Sequence, residues 1–202
     1  VSYSNNTQPS YNSLDDNLVL YMPFSRGGEN NSITGSSETT VFDRSKYGNH
    51  GTCMGTDSDY GCNWTTGWSG NAMLFNKDNV IEVLDHDSLS FGNEGSDDKP
   101  FTWSVWMNGE DYDDTDYSVM YKSGEYQLWM ESTYLRARIH GGGSNSYAQI
   151  APPTVNVWTH VVVTYDGSQK GSGLSFYYDG VKQSVGTIYT AHTFMPNGGN
   201  NL

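Results

Sequence analysis

The alternation of apolar and polar residues is clearest between Phe101 and Asn108, where the sequence reads FTWSVWMN. One set of alternate positions is apolar and holds Phe101, Trp103, Val105 and Met107, while the other holds Thr102, Ser104, Trp106 and Asn108. Because successive side chains of a strand point to opposite faces, this pattern predicts a half-buried β-strand. Trp106 is the exception, since it is a large aromatic residue on the polar face.

Other apolar runs, bounded by turn-forming residues, predict further strands. They are NLVLYMPF (Asn17–Phe24), NAMLFNK, VIEVLD, SVMYKS, EYQLWMES, YLRARIHG and WTHVVVTYD. The three runs SVMYKS, EYQLWMES and YLRARIHG follow one another through short turns. That arrangement predicts a meander of neighbouring antiparallel strands.

Two Asp-Gly pairs mark the ends of strands. Asp179–Gly180 separates LSFYY from VKQSV, and Asp-Gly at the two central positions of a turn permits the positive φ angles of a type I′ hairpin. Asp166–Gly167 ends an earlier strand. No segment keeps a 3.6-residue period over several turns, so helices are not expected. The sequence predicts an all-β, antiparallel β-sandwich over residues 18–202, preceded by a polar tail or linker over residues 1–17.

The composition narrows the function classes. The chain has 202 residues, with 23 acidic and 10 basic residues, a formal net charge of −13 and a pI near 4.5. Binding to nucleic acid through phosphate contacts is disfavoured, since like charges repel. No apolar run reaches the roughly 20 residues that a membrane-spanning helix needs, so no membrane insertion is expected.

The acidic, lysine-poor composition is typical of an extracellular or cell-surface protein, and it bears on the reading of the cysteines. Cys53 and Cys62 are separated by a Gly-containing segment, so a local disulfide is predicted, the alternative being two thiols in a reducing cell. A zinc site is not expected, since a Cys-x2-Cys pair is absent and the five histidines are scattered. Asn-x-Ser/Thr sequons at Asn5, Asn30 and Asn63 are candidate glycosylation sites.

Six motifs in a fixed order carry a family resemblance. They are LVLYMPF, FDRSKYGNHGTCMG, GNAMLFNKDNVIEV, FTWSVWMN, NVWTHVVVTYDG and LSFYYDGVKQS. In this order they resemble the laminin-G-like branch of the concanavalin A-like lectin/glucanase jelly rolls, from about Leu18 to Val185. The resemblance implies a jelly-roll sandwich, a fold that hosts binding modules, enzymes and structural domains.

The resemblance also raises a question about the last strands. Family members continue with a final strand pair, whereas this sequence stops at MPNGGNNL. We therefore expect the sandwich to lack its final strands and to be completed from elsewhere. An open edge invites another strand, which a continuation of the chain or a segment of a neighbouring molecule would supply. The third alternative is a complete sandwich that needs neither.

Two kinds of site follow from the resemblance. A structural calcium ion is implied near the FDRSKYGNHG loop, with Asp43, Asn49 and the backbone near Gly51 as ligands, although Asp43 could simply cap a turn. Related glucanases carry a catalytic pair of carboxylates on one strand as E-x-D-x-E. The nearest match, EVLDHD, has the wrong spacing, so the chain is not expected to be an enzyme.

Aromatic side chains are the candidate carbohydrate-binding residues, because ring faces stack on the apolar face of a pyranose. Trp106, Tyr112 and Trp129 are the predicted binding residues, and Trp68 lies in a loop. The function expected is a non-catalytic extracellular module that binds a glycan or a cell-surface or matrix protein. The alternative is a structural subunit of an extracellular filament that self-assembles by edge-strand pairing, and a glycoside hydrolase is a third class.

Overall fold

The computed structural model describes residues 16–24, 39–55, 63–75, 79–92, 97–112, 117–131 and 133–202. All strand pairs in these ranges are antiparallel, which confirms the predicted all-β class. The strands are β1 (Thr39–Val41), β2 (Gly51–Gly55), β3 (Asn63–Thr66), β4 (Asn71–Leu74), β5 (Asn79–Val83), β6 (Phe101–Met107), β7 (Tyr117–Lys122), β8 (Tyr126–Glu131), β9 (Tyr134–Gly141), β10 (Ser144–Ile150), β11 (Thr159–Tyr165), β12 (Leu174–Tyr178), β13 (Val181–Lys182) and β14 (Thr187–Tyr189). Within the described ranges the only helical segments are two short 3₁₀ turns, Asp87–Leu89 and Gly171–Gly173.

Two larger sheets form the sandwich. The first has five strands in the order β14-β10-β9-β8-β7, and the second has four in the order β13-β12-β11-β6. A three-stranded sheet, β1-β2-β5, and the hairpin β3-β4 accompany them. The predicted meander is confirmed, since β7, β8 and β9 are neighbours in the first sheet.

The core lies between the inner faces of the two larger sheets. Strand β9 alternates strictly, with Leu135, Ala137 and Ile139 fully buried and the residues between them half-buried. Strand β6 does the same with Phe101 and Trp103 inward. These residues join one cluster, so the alternation read from the sequence decides which face of each strand is buried.

Glycine and aspartate set the predicted turns. Asp179 and Gly180 have φ angles of 50° and 80°, the two positive values that a type I′ turn requires, so the predicted β12–β13 hairpin is confirmed. Gly167 has a φ of 81°, and a Cβ there would lie 2.7 Å from the carbonyl oxygen of Asp98. Another residue at position 167 would therefore clash with the loop before β6.

One predicted strand is wrong, and five strands, β1, β2, β3, β10 and β14, were not predicted. Residues 18–24 form no ladder, because the Tyr21 carbonyl accepts one hydrogen bond from Arg44 while the Tyr21 N–H donates to the Asp43 side chain. Strand β10, a central strand of the first sheet, was not predicted. Its sequence, SNSYAQI, has small or polar residues at several positions and therefore lacks a strong apolar signal.

The last residues, 190–202, form no regular strand and cross the sandwich as the C-terminal segment. Leu202 exchanges two backbone hydrogen bonds with Val83 of β5, at 2.7 and 2.9 Å. Gly92 and Gly141 lie beneath this segment, and a Cβ on Gly141 would lie 1.5 Å from the Phe194 carbonyl oxygen. The expectation that final strands are supplied from elsewhere stays a prediction, as do the proposed boundaries of the tail and the domain.

The tail residues 1–15 lie outside the described residues. In the described ranges, no helix has the length and apolar character needed to cross a bilayer.

Candidate functional site

Three parallel rings form an exposed aromatic ladder on the outside of the four-stranded sheet. The rings of Trp68 and Trp106 are stacked, with centroids 5.0 Å apart and an interplanar angle of 6°. The ring of His160 stacks on Trp106 at 5.1 Å and 21°. Trp68 is 63% exposed and Trp106 is 43% exposed, so the ladder is a solvent-facing surface.

The fold builds the ladder from two strands and one turn. Trp106 in β6 and His160 in β11 are direct cross-strand partners on the outward face. The Ser104 hydroxyl lies 2.8 Å from His160 Nε2 and so helps to orient the ring. The backbone N–H of His160 donates to the Asp179 carboxylate at 2.9 Å, which ties this end of β11 to the β12–β13 turn.

Trp68 reaches the ladder from the turn between β3 and β4. This turn closes with a 2.8 Å hydrogen bond from the Gly67 N–H to the Gly70 carbonyl. Gly70 has a φ of 80°, which favours glycine over other residues. The sequence placed Trp106 correctly on the polar face, but it gave no sign that Trp68 and His160 would stack with it.

The other two predicted carbohydrate-binding residues, Tyr112 and Trp129, do not belong to the aromatic ladder. Tyr112 is half-buried and packs against the main core, away from open solvent. Trp129 is only 4% exposed, and the guanidinium groups of Arg136 and Arg138 lie 4.9 and 4.6 Å from its ring centroid. Trp129 therefore presents no open face to a sugar, because cations already occupy the position of a stacking partner.

The Asp43 side chain is the hydrogen-bonding centre of the loop predicted to bind calcium. Its carboxylate accepts four hydrogen bonds, from Tyr21 N–H, Ser45 N–H, Ser45 Oγ–H and Asn49 N–H, at 2.6 to 2.8 Å. A carboxylate has about four lone-pair positions, so little acceptor capacity remains for a cation.

The rest of this loop does not supply a calcium ligand set either. The Asn49 amide nitrogen donates to the Val19 carbonyl and to Ser88 Oγ, and Gly51 lies in β2. No group of three or more His, Cys, Asp or Glu side chains suited to a metal ion occurs among the described residues. The arrangement fits a turn cap rather than a calcium ion, and calcium binding itself stays a prediction.

The carboxylates compared with the glucanase pattern are engaged in structural contacts. Glu82 accepts a 3.1 Å hydrogen bond from the Asn201 side chain, and Asp85 forms an ion pair with Lys122. Lys122 is fully buried, and its ammonium also contacts Glu125 at 3.1 Å and the Asn200 carbonyl at 2.8 Å. This cluster ties the C-terminal segment to the sandwich and does not present a carboxylate pair to a cleft.

A second buried polar cluster surrounds Asp98. Its carboxylate accepts hydrogen bonds from the Tyr165 hydroxyl, His192 Nε2 and the Met195 N–H, each at 2.7 Å. Burial alone would raise the pKa of Asp98, but the hydrogen bonds from His192, Met195 and Tyr165 outweigh it and hold that pKa below its ordinary value. The same bond and burial raise the pKa of Tyr165. Asp98 therefore fastens the C-terminal segment as an ionised group.

The predicted covalent sites are only partly within the described residues. Cys53 is buried in β2, whereas Cys62 lies outside the described residues, so their disulfide stays a prediction. Of the sequons, Asn63 begins β3, while Asn5 and Asn30 lie outside the described residues.

The fold defines a jelly-roll sandwich of the lectin-like class, and the sequence supports the same conclusion. The Laminin_G_3 model of the concanavalin A-like lectin/glucanases superfamily matches residues 85–202. This match covers more than half of the chain, which therefore belongs to that superfamily. No curated protein matches the sequence.

Two solved structures share the fold at low sequence identity. The binding domain of Paraclostridial Mosquitocidal Protein 1 aligns with a TM-score of 0.51 and 16% identity, over 83% of this chain and 44% of that chain. A structure of botulinum neurotoxin type C, whose cell entry depends on interaction with two ganglioside molecules, aligns with a TM-score of 0.52 and 14% identity, over 80% of this chain and 40% of that one. The present chain thus spans less than half of either protein, and the likeness concerns the fold.

Proposed function

We propose that the protein is a non-catalytic carbohydrate-binding module that acts outside the cell or at its surface, with the aromatic ladder as its binding site. The observation that carries this proposal is the exposed stack of Trp68 on Trp106. Trp106 already stacks on both Trp68 and His160, so the ring face offered to a pyranose is that of the more exposed Trp68, which Trp106 holds in place. A pyranose that packs on this face removes apolar surface from water. Ser104 and Asp179, which contact His160, would supply polar groups for sugar hydroxyls beside these rings.

Two further observations support a binding role without catalysis. One structure with a similar fold is a binding domain, and the other belongs to a toxin whose cell entry depends on gangliosides. These are properties of those proteins, and they agree with the proposal. Glu82 and Asp85 contact Asn201 and Lys122, which supports a structural rather than a catalytic role for this pair of carboxylates.

The test is a titration of the protein with neutral tetrasaccharides of glucose, mannose and galactose, followed by tryptophan fluorescence and calorimetry. Losing one ring face of about 50 Å² costs about 1.3 kcal/mol at roughly 25 cal/mol per Å², which is close to a tenfold rise in Kd. We expect Trp68→Ala and Trp106→Ala each to weaken binding by about this factor.

The matched control is Tyr47→Ala, which removes a 38% exposed ring from a different loop and should leave the affinity unchanged. Equal affinity in the Trp68→Ala and Tyr47→Ala variants would contradict the proposal. Binding of none of the three saccharides would also contradict it.

A further inference from the structure

The outer face of the five-stranded sheet carries a second concentration of aromatic and polar side chains, centred on Arg136. Strand pairing places Trp129, Arg136, Gln149 and Thr187 in one cross-strand row. The next row holds Gln127, Arg138, Tyr147 and Tyr189. Both rows lie on the side of the sheet opposite the core residues Leu135, Ala137 and Ile139. This face is therefore on the other side of the sandwich from the aromatic ladder.

The guanidinium of Arg136 sits in an aromatic cage. It lies 4.3 Å from the ring centroid of Tyr134, 4.5 Å from that of Tyr147 and 4.9 Å from that of Trp129. Its Nε and Nη2 groups both donate to Gln149 Oε1, at 2.9 and 2.6 Å. The rings and the amide hold the planar group in one orientation before any ligand arrives, which lowers the entropic cost of binding.

The charge of Arg136 has no carboxylate partner among the described residues, because none of their ion pairs includes it. Glu131, an acidic residue on this face, is the cross-strand neighbour of Tyr134 rather than of Arg136. A guanidinium left with a neutral amide as its hydrogen-bond acceptor is unusual in a chain of net charge −13. Charge-assisted bonds to an oxyanion are roughly twice as strong as bonds to a neutral acceptor, so the unpaired cation favours an anionic ligand.

A second arginine, Arg138, lies beside Arg136 on this face. Arg138 lies over the same Trp129 ring at 4.6 Å and donates to the Gln127 side chain. His140, next on the same face of β9, adds no charge near neutral pH, because burial, Arg138 and His192 lower its pKa to about 4 although a hydrogen bond to Asn145 raises it. At physiological salt, the attraction of Arg136 to exposed acidic groups more than about 8 Å away is largely screened.

The exposed rim of this face suits a saccharide. The rings of Tyr147 and Tyr189 are stacked at 5.3 Å and 23°, and Tyr189 is 49% exposed. Tyr189 thus extends the cage outward, because it stacks on Tyr147, the ring that also contacts Arg136. Side-chain amides at Gln127, Asn145 and Gln149 lie on the same face of the sheet. We propose that this face is a second binding site, for an anionic saccharide whose carboxylate or sulfate contacts Arg136 and whose ring packs on Tyr189.

The test measures binding to the whole chain by calorimetry at physiological ionic strength with four probes. They are tetragalacturonate, a heparin tetrasaccharide, neutral galactotetraose and a hexaglutamate peptide. We expect at least one of the first two to bind about tenfold or more tightly than galactotetraose, since the neutral sugar cannot form charge-assisted bonds. Comparing those two probes distinguishes a carboxylate from a sulfate as the group that is recognised.

Variants assign the binding to this face. Arg136→Gln should weaken anionic binding about tenfold, and Tyr189→Ala, which removes an exposed ring, should weaken it by about three- to fivefold. The control Lys182→Gln removes an exposed cation from the other sheet and should change the affinity less than about twofold. Trp68→Ala should also leave it unchanged, so loss of the ladder site and loss of this site are distinguishable.

Three outcomes would overturn this proposal. They are equal binding of galactotetraose, tighter binding of the peptide than of either anionic saccharide, and no binding of either anionic saccharide. Equal affinity in Arg136→Gln and Lys182→Gln would overturn it as well, and if Arg136→Gln does not fold by circular dichroism, the Tyr189→Ala result decides.

Discussion

The buried carboxylate of Asp98 should contribute a large and pH-dependent share of the stability. In the Asp98→Ala variant, the Tyr165 hydroxyl, His192 Nε2 and the Met195 N–H each lose an acceptor at 2.7 Å inside the protein. Leaving a buried donor without its acceptor costs about 1–3 kcal/mol, so the loss of this acceptor for three donors should cost about 3–5 kcal/mol in total. For a chain of this size that corresponds to a fall in melting temperature of about 10 °C.

The pH dependence follows from the depressed pKa of Asp98. A carboxyl whose pKa is lower in the folded state than in the unfolded state stabilises the fold above its unfolded pKa of about 3.9. That contribution is lost as the pH falls through the lower, folded pKa. The stability difference between the wild type and Asp98→Ala should therefore be constant from pH 7 to about pH 5 and shrink below about pH 4.

Urea denaturation followed by tryptophan fluorescence at pH 7, 5 and 3 measures these differences. The matched control is Asp97→Ala, which removes the adjacent but exposed carboxylate and should change the free energy of unfolding by less than about 0.5 kcal/mol. If Asp98→Ala and Asp97→Ala lower the stability equally, the buried network does not fasten the C-terminal segment as described.

Three further predictions concern the turns and the cysteines. Asp43→Ala should lower the free energy of unfolding by about 2–3 kcal/mol through its lost hydrogen bonds, equally in calcium and in chelator; a calcium-dependent melting temperature that disappears in the variant would instead show a metal site. Gly141→Ala would place its Cβ 1.5 Å from the Phe194 carbonyl oxygen and should destabilise by about 1–3 kcal/mol, whereas Gly186→Ala, with 3.7 Å to the Gln149 carbonyl oxygen, should be nearly neutral in thermal melts. Intact mass after alkylation, with and without reduction, should show Cys53 and Cys62 joined; two alkylated thiols in the unreduced protein would show that they are not.

Local patterns in the sequence predicted much of the fold. The alternation in β6 and the short turns between β7, β8 and β9 depend on neighbouring residues, and so does the Asp179–Gly180 turn. Strand β10 was missed because Ser146, a buried inward-facing residue, breaks its apolar face. Residues 18–24 do not form the expected strand, because the Tyr21 N–H donates to the Asp43 side chain rather than to the backbone of a neighbouring strand.

The candidate sites were harder to predict because they depend on strand order. Trp106 was recognisable from its place on a polar face, but its stacking on Trp68 and His160 needs the β6–β11 pairing and the β3–β4 turn. Trp129 was predicted as a sugar-stacking residue only because it is aromatic. Only the register of β8, β9 and β10 brings Arg136 over its ring.

The most direct test of the carbohydrate-binding proposal is nuclear magnetic resonance of the tryptophan indole groups during titration with the neutral tetrasaccharides. The chain has six tryptophans, so each indole N–H can be followed separately once assigned by substitution. The proposal predicts saturable shifts of the Trp68 and Trp106 signals, while that of Trp103, which is 5% exposed in the core, stays in place. Saccharide binding that leaves the Trp68 and Trp106 signals unmoved would contradict it.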